Sequence, residues 1–427
     1  MSDFDCVVVG SGIAGPVAAY ELAQAGKSVL VIERGEFPGA KNMSGGRLYT
    51  HSLHAVFPNF RDSAPLERRI VRERITFLAP DAAVGLDYTD SQLSQVDCES
   101  YSVLRARFDP WLAAQAEEAG AEYITSIPVE ALVMDGSRVT GVKAGSDEIT
   151  ADVVILCDGV NSLLVPNATN WIRPNTVAVG IKQVIQLPAG VITDRFAAPS
   201  DNEGTAWLFV GDATKGRSGG GFIYTNKDTI SLGLVVMVSD LMTSGVSITQ
   251  MIEDFKAHIA VAPMIAGGTV VEHSGHLVAE GGYDAMPPLA GDGFLIAGDA
   301  AMMCVNAGYT VRGMDFAVAA GMYAGRTAAA ALEAGDTSVN GLANYQASLE
   351  DSFVLQDLKR LRRFPAFMET TPRLFEAYPM LARDVMRQLF VVDGKPVRSI
   401  RRSLPTVVKQ VGFRKLGRDL WRGMRSL

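Results

Sequence analysis

The order of apolar and polar positions divides the chain into three kinds of segment. Continuous apolar runs such as 6–9 and 29–32 predict strands that are buried on both faces. Polar and apolar positions alternate in stretches such as 219–225 and 229–238, which predicts strands of an antiparallel sheet. From about residue 340 the apolar positions follow a helical period with proline breaks. The chain therefore combines buried strands, an alternating sheet and a helical C-terminal part.

The first apolar run leads into a glycine-rich turn, a helix and a second apolar run. The turn has Gly-x-Gly-x-x-Gly spacing at Gly10, Gly12 and Gly15, and the second run is closed by Glu33, 18 residues after Gly15. Glycines permit a tight turn and the close approach of a pyrophosphate, and a helix N-terminus supplies amide donors. An acid at this spacing can accept hydrogen bonds from ribose hydroxyls. The element predicts dinucleotide binding through Gly10, Gly12, Ile13, Ala14, Gly15, Glu33 and Arg34.

A second strand–turn–helix element lies almost three hundred residues later, in FLIAGDAAMMCVNAGYTVRGMD at 294–315. Asp299 follows the apolar strand, and an alanine-rich helix begins near Arg312. This arrangement resembles the second FAD signature of glutathione-reductase-type flavoproteins, in which an aspartate binds the ribityl hydroxyls and the next helix N-terminus points at the flavin. The two signatures together favour FAD over NAD, with contacts from Gly298, Asp299, Val311 and Arg312. Arg312 is equally compatible with a helix-start charge or a partner contact.

Two further segments resemble elements of flavin hydroxylases and their relatives. ADVVILCDGVNS at 151–162 matches their strand-Asp-Gly motif, and VLRARFDPWLAAQAEEAGAEY at 103–123 matches their Arg-x-x-Phe-Asp-x-x-Leu helix. Arg105 is expected to contact a phosphate, whereas Arg107 is equally compatible with a surface charge. The other candidate contacts of the cofactor are Lys41, Asn42, Gly45, Gly46, Val129, Asp158 and Gly159.

These elements predict an α/β fold: a Rossmann-like FAD-binding domain of the glutathione-reductase type, an antiparallel-sheet substrate domain and a helical C-terminal region. The first domain is expected to be discontinuous and to contain a β-meander, and the second to form the roof of the pocket over the flavin. The predicted ranges are 1–65, 99–174 and 290–335 for the FAD-binding domain, 66–98 and 175–289 for the substrate domain, and 336–427 for the helical region with its basic tail.

Length, hydropathy and cysteine spacing limit the other classes of function. A chain of 427 residues has room for two or three domains, and no run of 18 uncharged apolar residues predicts a transmembrane helix. The first strand begins so early that a signal peptide has no room, which predicts a cytoplasmic location. The cysteines at positions 6, 98, 157 and 304 form no Cys-x-x-Cys pair, so no metal site or iron–sulfur motif is predicted. No nucleic-acid partner is expected either.

A more specific likeness is carried by four segments: ERGEFPGAKNMSGGRLY (33–49), GGGFIYTNKDTISLGLV (219–235), EGGYDAMPPLAGDGFLIAGDAA (280–301) and RGMDFAVAAG (312–321). Together they resemble the FixC family of flavoproteins, which are similar to electron-transfer flavoprotein:quinone oxidoreductases. The resemblance implies an FAD subunit that takes electrons from a partner electron-transfer flavoprotein of the FixA/FixB type and passes them to quinone. The chain ends without the four cluster cysteines of the longer quinone oxidoreductases. Either a separate ferredoxin-like partner of the FixX type supplies the cluster, as the resemblance implies, or no cluster is used.

Other functions stay open: a flavin-dependent prenyl reductase similar to geranylgeranyl reductases, an NADPH-dependent aromatic hydroxylase, or a docking or electron-relay subunit. No nucleophile–base pair stands out, so no catalytic residue is assigned. Gly45 and Gly46 are expected to bring backbone close to the isoalloxazine, with a plain turn as the alternative. Lys182 is expected to be a solvated strand charge rather than a neighbour of the flavin or quinone.

Two features depart from the pattern expected of such flavoproteins. Met302 follows the Gly-Asp-Ala-Ala sequence, where a small residue is expected, and would narrow the pocket or alter the turn. The segment 163–174 lacks the helical pattern expected after the Asp-Gly motif. Both departures concern the acceptor pocket rather than the cofactor.

The C-terminal stretch 395–427 contains ten Lys or Arg and one Asp, a net charge of +9, whereas the whole chain carries −8. A helix there presents two faces. One face is apolar and the other basic, with Trp421 at the border: Phe413, Leu416, Leu420, Met424 and Leu427 against Arg414, Lys415, Arg418, Arg422 and Arg425. This pattern is typical of a helix in a membrane interface. Three interpretations follow: peripheral contact with the inner face of the cytoplasmic membrane, packing of the apolar face on the protein's own core, or docking of an acidic partner.

Overall fold

The computed structural model describes residues 2–42, 45–171, 176–395, 405, 407–409 and 411–427. Its strands are β1 (Phe4–Val9), β2 (Val29–Ile32), β3 (Gly46–Tyr49), β4 (Leu66–Ala79), β5 (Ala82–Thr89), β6 (Ser100–Val103), β7 (Glu122–Ile124), β8 (Val129–Asp135), β9 (Arg138–Ala144), β10 (Asp147–Leu156), β11 (Val177–Gln186), β12 (Glu203–Gly211), β13 (Gly219–Thr225), β14 (Thr229–Met237), β15 (Thr269–Ala279), β16 (Ala290–Gly291), β17 (Phe294–Ile296), β18 (Val305–Asn306) and β19 (Val311–Arg312).

The helices of the described residues follow the same chain order. They are α1 (Ala14–Gln24), α2 (His51–Val56), α3 (Arg105–Ala119), α4 (Leu164–Thr169), α5 (Ala189–Phe196), α6 (Val238–Ser244), α7 (Ile248–Ala257), α8 (Ala262–Ile265), α9 (Met314–Ala334), α10 (Asn344–Asp351), α11 (Phe353–Arg360), α12 (Phe364–Glu369), α13 (Ala377–Phe390) and α14 (Phe413–Met424). Short 3₁₀ turns connect several of them, including one at Gly298–Ala301.

The first sheet has the strand order β16-β17-β10-β1-β2-β7, and the pairs from β17 to β7 are parallel. Its central strands β1 and β2 are largely buried, and α1 and α9 pack against the sheet. The long strand β10 takes part in both the meander and the parallel sheet. Its first half pairs with β9 in the meander, and its second half pairs with β1 in the parallel sheet. The helix-covered parallel sheet agrees with the continuous apolar runs of the sequence.

The second sheet has the strand order β15-β11-β14-β13-β12-β4-β6-β3, with β5 paired to β4. It is mixed rather than purely antiparallel, since β12 and β4 are parallel. Two short strands that the sequence placed in the FAD-binding domain, β3 and β6, pair within this sheet. Helices α5, α7 and α8 pack on one side around a separate apolar core, and the other side faces the first domain.

The structure shows the local conformation at the two places where the sequence departs from the expected flavoprotein pattern. The segment after the Asp-Gly motif does form a helix, α4, although its sequence lacks a helical pattern; Ser162 Oγ accepts from the amides of Leu164 and Val165 and so caps its first turn. Positions 172–174 of that segment lie outside the described residues. Met302 has a φ of +60°, in the left-handed region, and its side chain is buried beside Cys304.

Helix α14 is attached to the C-terminal region by polar side chains. Asp419 is 2% exposed and accepts hydrogen bonds from Arg373 Nε (2.8 Å) and from the Tyr378 hydroxyl (2.6 Å). Arg422 Nη2 donates to Thr370 Oγ1 at 2.7 Å. None of the helices in the described ranges has the length and apolarity needed to cross a membrane.

Candidate functional site

The glycine-rich turn between β1 and α1 is held in shape by the protein itself. Gly10 has a φ of +97°, and a Cβ there would lie 2.5 Å from the Cys157 carbonyl oxygen. A Cβ at Gly15 would lie 2.0 Å from the Gly10 carbonyl oxygen, so Gly15 allows the helix to pack on the turn. Gly12 differs, because its nearest neighbours would be side-chain nitrogens at 3.6 Å or more. The space above Gly12 is therefore open to a ligand.

Glu33 directly follows β2 beside this turn and is 8% exposed. Its Oε2 accepts from the Ser11 amide at 2.8 Å, and its Oε1 accepts from the Gly35 amide at 2.7 Å. Each carboxylate oxygen has a second lone pair, so the group can still accept from a ribose hydroxyl. The two backbone bonds fix its orientation for that contact.

Arg105 at the start of α3 reaches the same turn. Its Nε and Nη2 donate to the two oxygens of Asp109 at 2.6 and 2.7 Å, and Asp109 is fully buried. Asn42 Nδ2 also donates to Asp109, at 2.7 Å. Asp109 thus orients two donors over Gly12, a role that the Arg-x-x-Phe-Asp motif contained but the sequence analysis did not assign. Arg107 lies on the surface, with 64% of its side chain exposed.

Two aspartates complete the first-domain side of the site. Asp299 follows β17 in the 3₁₀ turn, and burial raises its pKa, although the nearby Arg105 and His276 lower it. Burial raises the pKa of Asp158 to about 6, and its Oδ1 has no hydrogen-bond partner within the described part of the protein. A buried carboxylate oxygen without a partner points to a missing donor.

These groups line one continuous cavity of about 480 Å³ between the two sheets. Of the nineteen candidate residues, seventeen line it, and the exceptions are Gly15 and Arg312. The lining candidates are Gly10, Gly12, Ile13, Ala14, Glu33, Arg34, Lys41, Asn42, Gly45, Gly46, Arg105, Val129, Asp158, Gly159, Gly298, Asp299 and Val311.

Three of the candidates need comment. The Arg312 guanidinium pairs with Asp315 and Asp357, and it lies 4.6 Å from the centroid of the Phe316 ring. This geometry fits the interpretation as a helix-start charge. A Cβ at Gly45 would meet Ser231 Oγ at 2.2 Å, and a Cβ at Gly46 would meet Met314 Cε at 3.0 Å. Both glycines make room for the protein's own side chains at the cavity wall.

The second sheet contributes a wall that the sequence analysis largely missed. Its cavity side carries Lys182 on β11, Phe222 and Tyr224 on β13, and His276 on β15. Lys182 is 3% exposed, so the expectation of a solvated strand charge is wrong. Burial, and to a smaller extent Arg105, lowers its pKa to about 7, and Glu272 partly offsets the effect.

Three consecutive glycines on β13 let the cavity approach the backbone of this wall. A Cβ added to Gly219 would lie 2.0 Å from the Val235 carbonyl oxygen, and one added to Gly220 would lie 2.7 Å from the Phe209 carbonyl oxygen. A Cβ added to Gly221 would lie 2.8 Å from the Phe255 ring. Each position therefore excludes a side chain because of a different neighbour. The sequence analysis identified this stretch as a strand but gave it no role.

Comparison with known proteins places the chain in a family. Residues 364–427 match the ETF-QO/FixC family C-terminal domain, and residues 5–165 match the FAD dependent oxidoreductase family. The chain is 48% identical to the probable electron transfer flavoprotein-quinone oxidoreductase YdiS of Escherichia coli (strain K12), over 100% of both chains. It is 49% identical to Protein FixC of the same strain, over 99% of both chains. This chain belongs to the FixC/ETF-QO family.

Solved structures that resemble this FixC-family chain share its fold at low sequence identity. A geranylgeranyl bacteriochlorophyll reductase-like protein from Thermoplasma acidophilum superimposes with a TM-score of 0.70 at 20% identity, covering 96% of this chain and 98% of that one. The flavin-dependent brominase Bmp2 gives a TM-score of 0.63 at 18% identity, covering 96% and 98%. The predicted α/β fold with an FAD-binding domain is confirmed.

The residues of the cavity fit FAD, the cofactor that the family requires. The open space at Gly12, the oriented carboxylate of Glu33 and the donors of Arg105 suit the adenosine and pyrophosphate part. The unpartnered Asp158 oxygen and the carboxylate of Asp299 supply acceptors further along the cavity. FAD supplies the redox chemistry of the enzyme, while these side chains bind and orient it. The FixC-family protein is an FAD-dependent oxidoreductase.

Proposed function

We propose that this protein takes electrons from a partner electron-transfer flavoprotein and passes them to a quinone. The observation that carries the proposal is the course of the cavity. From the FAD-binding turn it continues along the second sheet to Met368 and Phe375, which belong to the C-terminal family region. Apolar lining of this kind suits a lipid-soluble acceptor. The names of the full-length relatives point to the same donor and acceptor.

The electron donor is proposed to be a protein rather than a nicotinamide. The second glycine-rich stretch, 216–222, runs into strand β13 and not into a helix, so it lacks the helix N-terminus that binds a dinucleotide phosphate. A prenyl reductase or an NADPH-dependent hydroxylase would instead accept electrons directly from a small-molecule reductant.

The test is a stopped-flow measurement of flavin bleaching with two reductants. A reduced two-subunit electron-transfer flavoprotein should bleach the flavin quickly, and NADPH alone should do so slowly. Reoxidation is then followed after mixing with a benzoquinone carrying one isoprene unit. Rapid reduction by NADPH in the presence of a phenolic substrate, or failure of the quinone to reoxidise the flavin, would contradict the proposal.

Peripheral membrane contact through 395–427 is part of the proposal. The apolar side of α14 does not pack on the core, because Phe413 is 54% exposed, Leu420 60% and Met424 70%. The one buried residue of this helix is polar, Asp419 at 2% exposure. An outward apolar face next to exposed arginines and lysines suits the interface of an anionic bilayer.

Sedimentation with anionic liposomes tests this contact. The intact protein should bind at low salt and less at high salt, because part of the attraction is electrostatic. The variant Leu420→Gln/Met424→Gln should bind weakly, and a chain that ends at Asp393 should not bind. Equal binding of all three proteins would rule out α14 as the contact and leave the docking interpretation.

A ferredoxin-like partner completes the proposed electron-transfer assembly. The cysteines at positions 6, 157 and 304 are buried in separate segments of the fold, and Cys98 is exposed. A cluster of the longer quinone oxidoreductases would therefore belong to another chain. Copurification of an iron–sulfur protein with the tagged enzyme from its native cell is the expected result, and an assembly with full quinone reduction but no iron would contradict it.

A further inference from the structure

Lys182 stands in a row of positions that crosses the second sheet on its cavity side. The strand register aligns Lys182 with Gly233 and Gly233 with Phe222. Gly233 leaves room for the aromatic ring, since a Cβ there would lie 2.5 Å from Phe222 Cζ. The Lys182 ammonium nitrogen lies 5.6 Å from the centroid of the same ring. The strand pairing and this cation–π contact fix the position of the ammonium group.

No carboxylate in the described ranges forms an ion pair with this buried ammonium group. Glu272 on the neighbouring strand β15 acts on Lys182 only through space, and Arg105 across the cavity opposes it. A buried charge without a close partner is unfavourable unless a ligand supplies an acceptor. The fold keeps a lysine where an apolar side chain would be more stable, which points to a ligand-binding role.

We propose that Lys182 binds the electron acceptor, and that its ammonium group donates a hydrogen bond to a ring oxygen of a quinone lying between the second sheet and the flavin. The surrounding wall is formed by Phe222, Leu208 and Val235, which suits a flat apolar ring with few polar atoms. This inference rests on the proposed function and names the residue that recognises the acceptor.

The hydrogen bond matters most when the acceptor is reduced. A quinone takes up two electrons and two protons to become a hydroquinone; here the electrons come from reduced FAD and the protons from water. Negative charge develops on the ring oxygens before they are protonated, and a fixed cation stabilises that charge. Lys182 contributes a hydrogen bond and a charge, and the proposal does not require it to deliver a proton.

The experiment measures binding of the benzoquinone with one isoprene unit to the oxidised holoenzyme, by quenching of flavin fluorescence. Lys182→Met keeps the length of the side chain and removes its charge. Lys143→Met, on the exposed side of β9, is the matched control. A hydrogen bond from a charged donor predicts that Lys182→Met binds the quinone about tenfold or more weakly, with unchanged FAD content. Lys143→Met should bind like the wild type.

The dependence of this affinity on pH gives a second readout. Wild-type affinity should fall as the pH rises through about 7, where Lys182 loses its proton. The other ionisable groups that face Lys182 or line the cavity beside it are Arg105, Tyr224, Glu272, His276 and Glu280. Lys182→Met retains all five, so it supplies the background profile, and the fall near pH 7 should be absent from it.

The outcomes separate this inference from the proposed function. If the wild type neither binds the quinone nor is reoxidised by it, the proposed function fails. If the wild type binds the quinone and Lys182→Met binds it equally well, only the assignment of Lys182 is overturned. A lowered flavin midpoint potential in Lys182→Met with unchanged quinone affinity would also overturn it, because the lysine would then act on the flavin.

Discussion

Replacement of Lys182 by methionine is expected to stabilise the protein, and the size of the effect follows from the burial of its ammonium group. The pKa of Lys182 falls from the usual 10.5 to about 7 in the folded chain. Each tenfold change in proton affinity corresponds to about 1.4 kcal/mol. Below pH 7 the free energy of unfolding is therefore lower by about 5 kcal/mol than it would be if this lysine kept its ordinary affinity for protons in the folded state.

The sign of this effect determines its dependence on pH. The folded state binds the proton of Lys182 more weakly than the unfolded state does, so the loss is complete below about pH 7 and disappears as the pH rises through 10.5. At pH 9 the remaining difference is about 2 kcal/mol. Because the methionine does not titrate, the stability advantage of Lys182→Met over the wild type should be larger at pH 6 than at pH 9, by about 3 kcal/mol.

Urea unfolding of the holoenzyme, followed by far-ultraviolet circular dichroism at pH 6 and pH 9, measures the difference. Lys143→Met is the control, and a surface substitution of this kind should change the free energy of unfolding by about 0.5 kcal/mol or less at either pH. A stability gain that is equal at the two pH values, or no gain at pH 6, would refute the reasoning. A stabilising substitution that weakens quinone binding would be a trade of stability for function.

Three further predictions follow from the turn, the C-terminal helix and the buried aspartate. Gly12→Val should fold but contain little FAD, since the side chain would enter open cavity space. Gly15→Val should fold poorly, because its Cβ would lie 2.0 Å from a carbonyl oxygen. Absorbance at the flavin band measures the FAD content of the two variants, and circular dichroism measures their folding. Asp419→Ala should lower the free energy of unfolding by about 1–3 kcal/mol, because Arg373 and Tyr378 lose the acceptor of their hydrogen bonds, and should expose the C-terminus to limited proteolysis. Asp158→Asn should bind FAD less tightly than the wild type at pH 8, because an ionised carboxylate is a stronger acceptor than an amide for a donor of the cofactor, and the difference should shrink at pH 5; isothermal titration of the deflavinated protein with FAD at the two pH values measures this, and equal affinities at pH 8 would contradict it.

The FAD-binding half of the site was predictable because it is encoded locally. Gly10 and Gly12 stand at the end of a strand, where backbone geometry and close approach permit few other residues. Asp299 was found in the same way, from its place after an apolar strand. In both cases the residue type and the local structure that it requires are adjacent in sequence.

The opposite wall was not predictable, because its burial depends on the meeting of two sheets. In β11, Ile181, Lys182 and Gln183 are all buried, since one side of the sheet packs on its own core and the other faces the cavity. Alternation along the strand places the lysine opposite the core and so suggests solvent. Only the tertiary arrangement reveals that the polar side is enclosed.

The orientation of α14 also lay beyond the sequence. Its amphipathic pattern gives the two faces but not which of them packs inward. Asp419 decides the matter, because its bonds to Arg373 and Tyr378 turn the polar side toward the protein and leave Leu420 outside. These partners lie more than forty residues earlier in the chain, so no local pattern reveals them.

The three glycines of β13 restrict how this wall can evolve. Gly219 is constrained by Val235, Gly220 by Phe209 and Gly221 by Phe255, and the three neighbours lie on different elements. A compensating change at one neighbour frees only one glycine, and two of the obstructing atoms are carbonyl oxygens that no substitution removes. Descendants of this chain can therefore diversify their acceptor through the side chains around the tripeptide, at positions such as Lys182, while Gly219 and Gly220 stay fixed and Gly221 can change only together with Phe255.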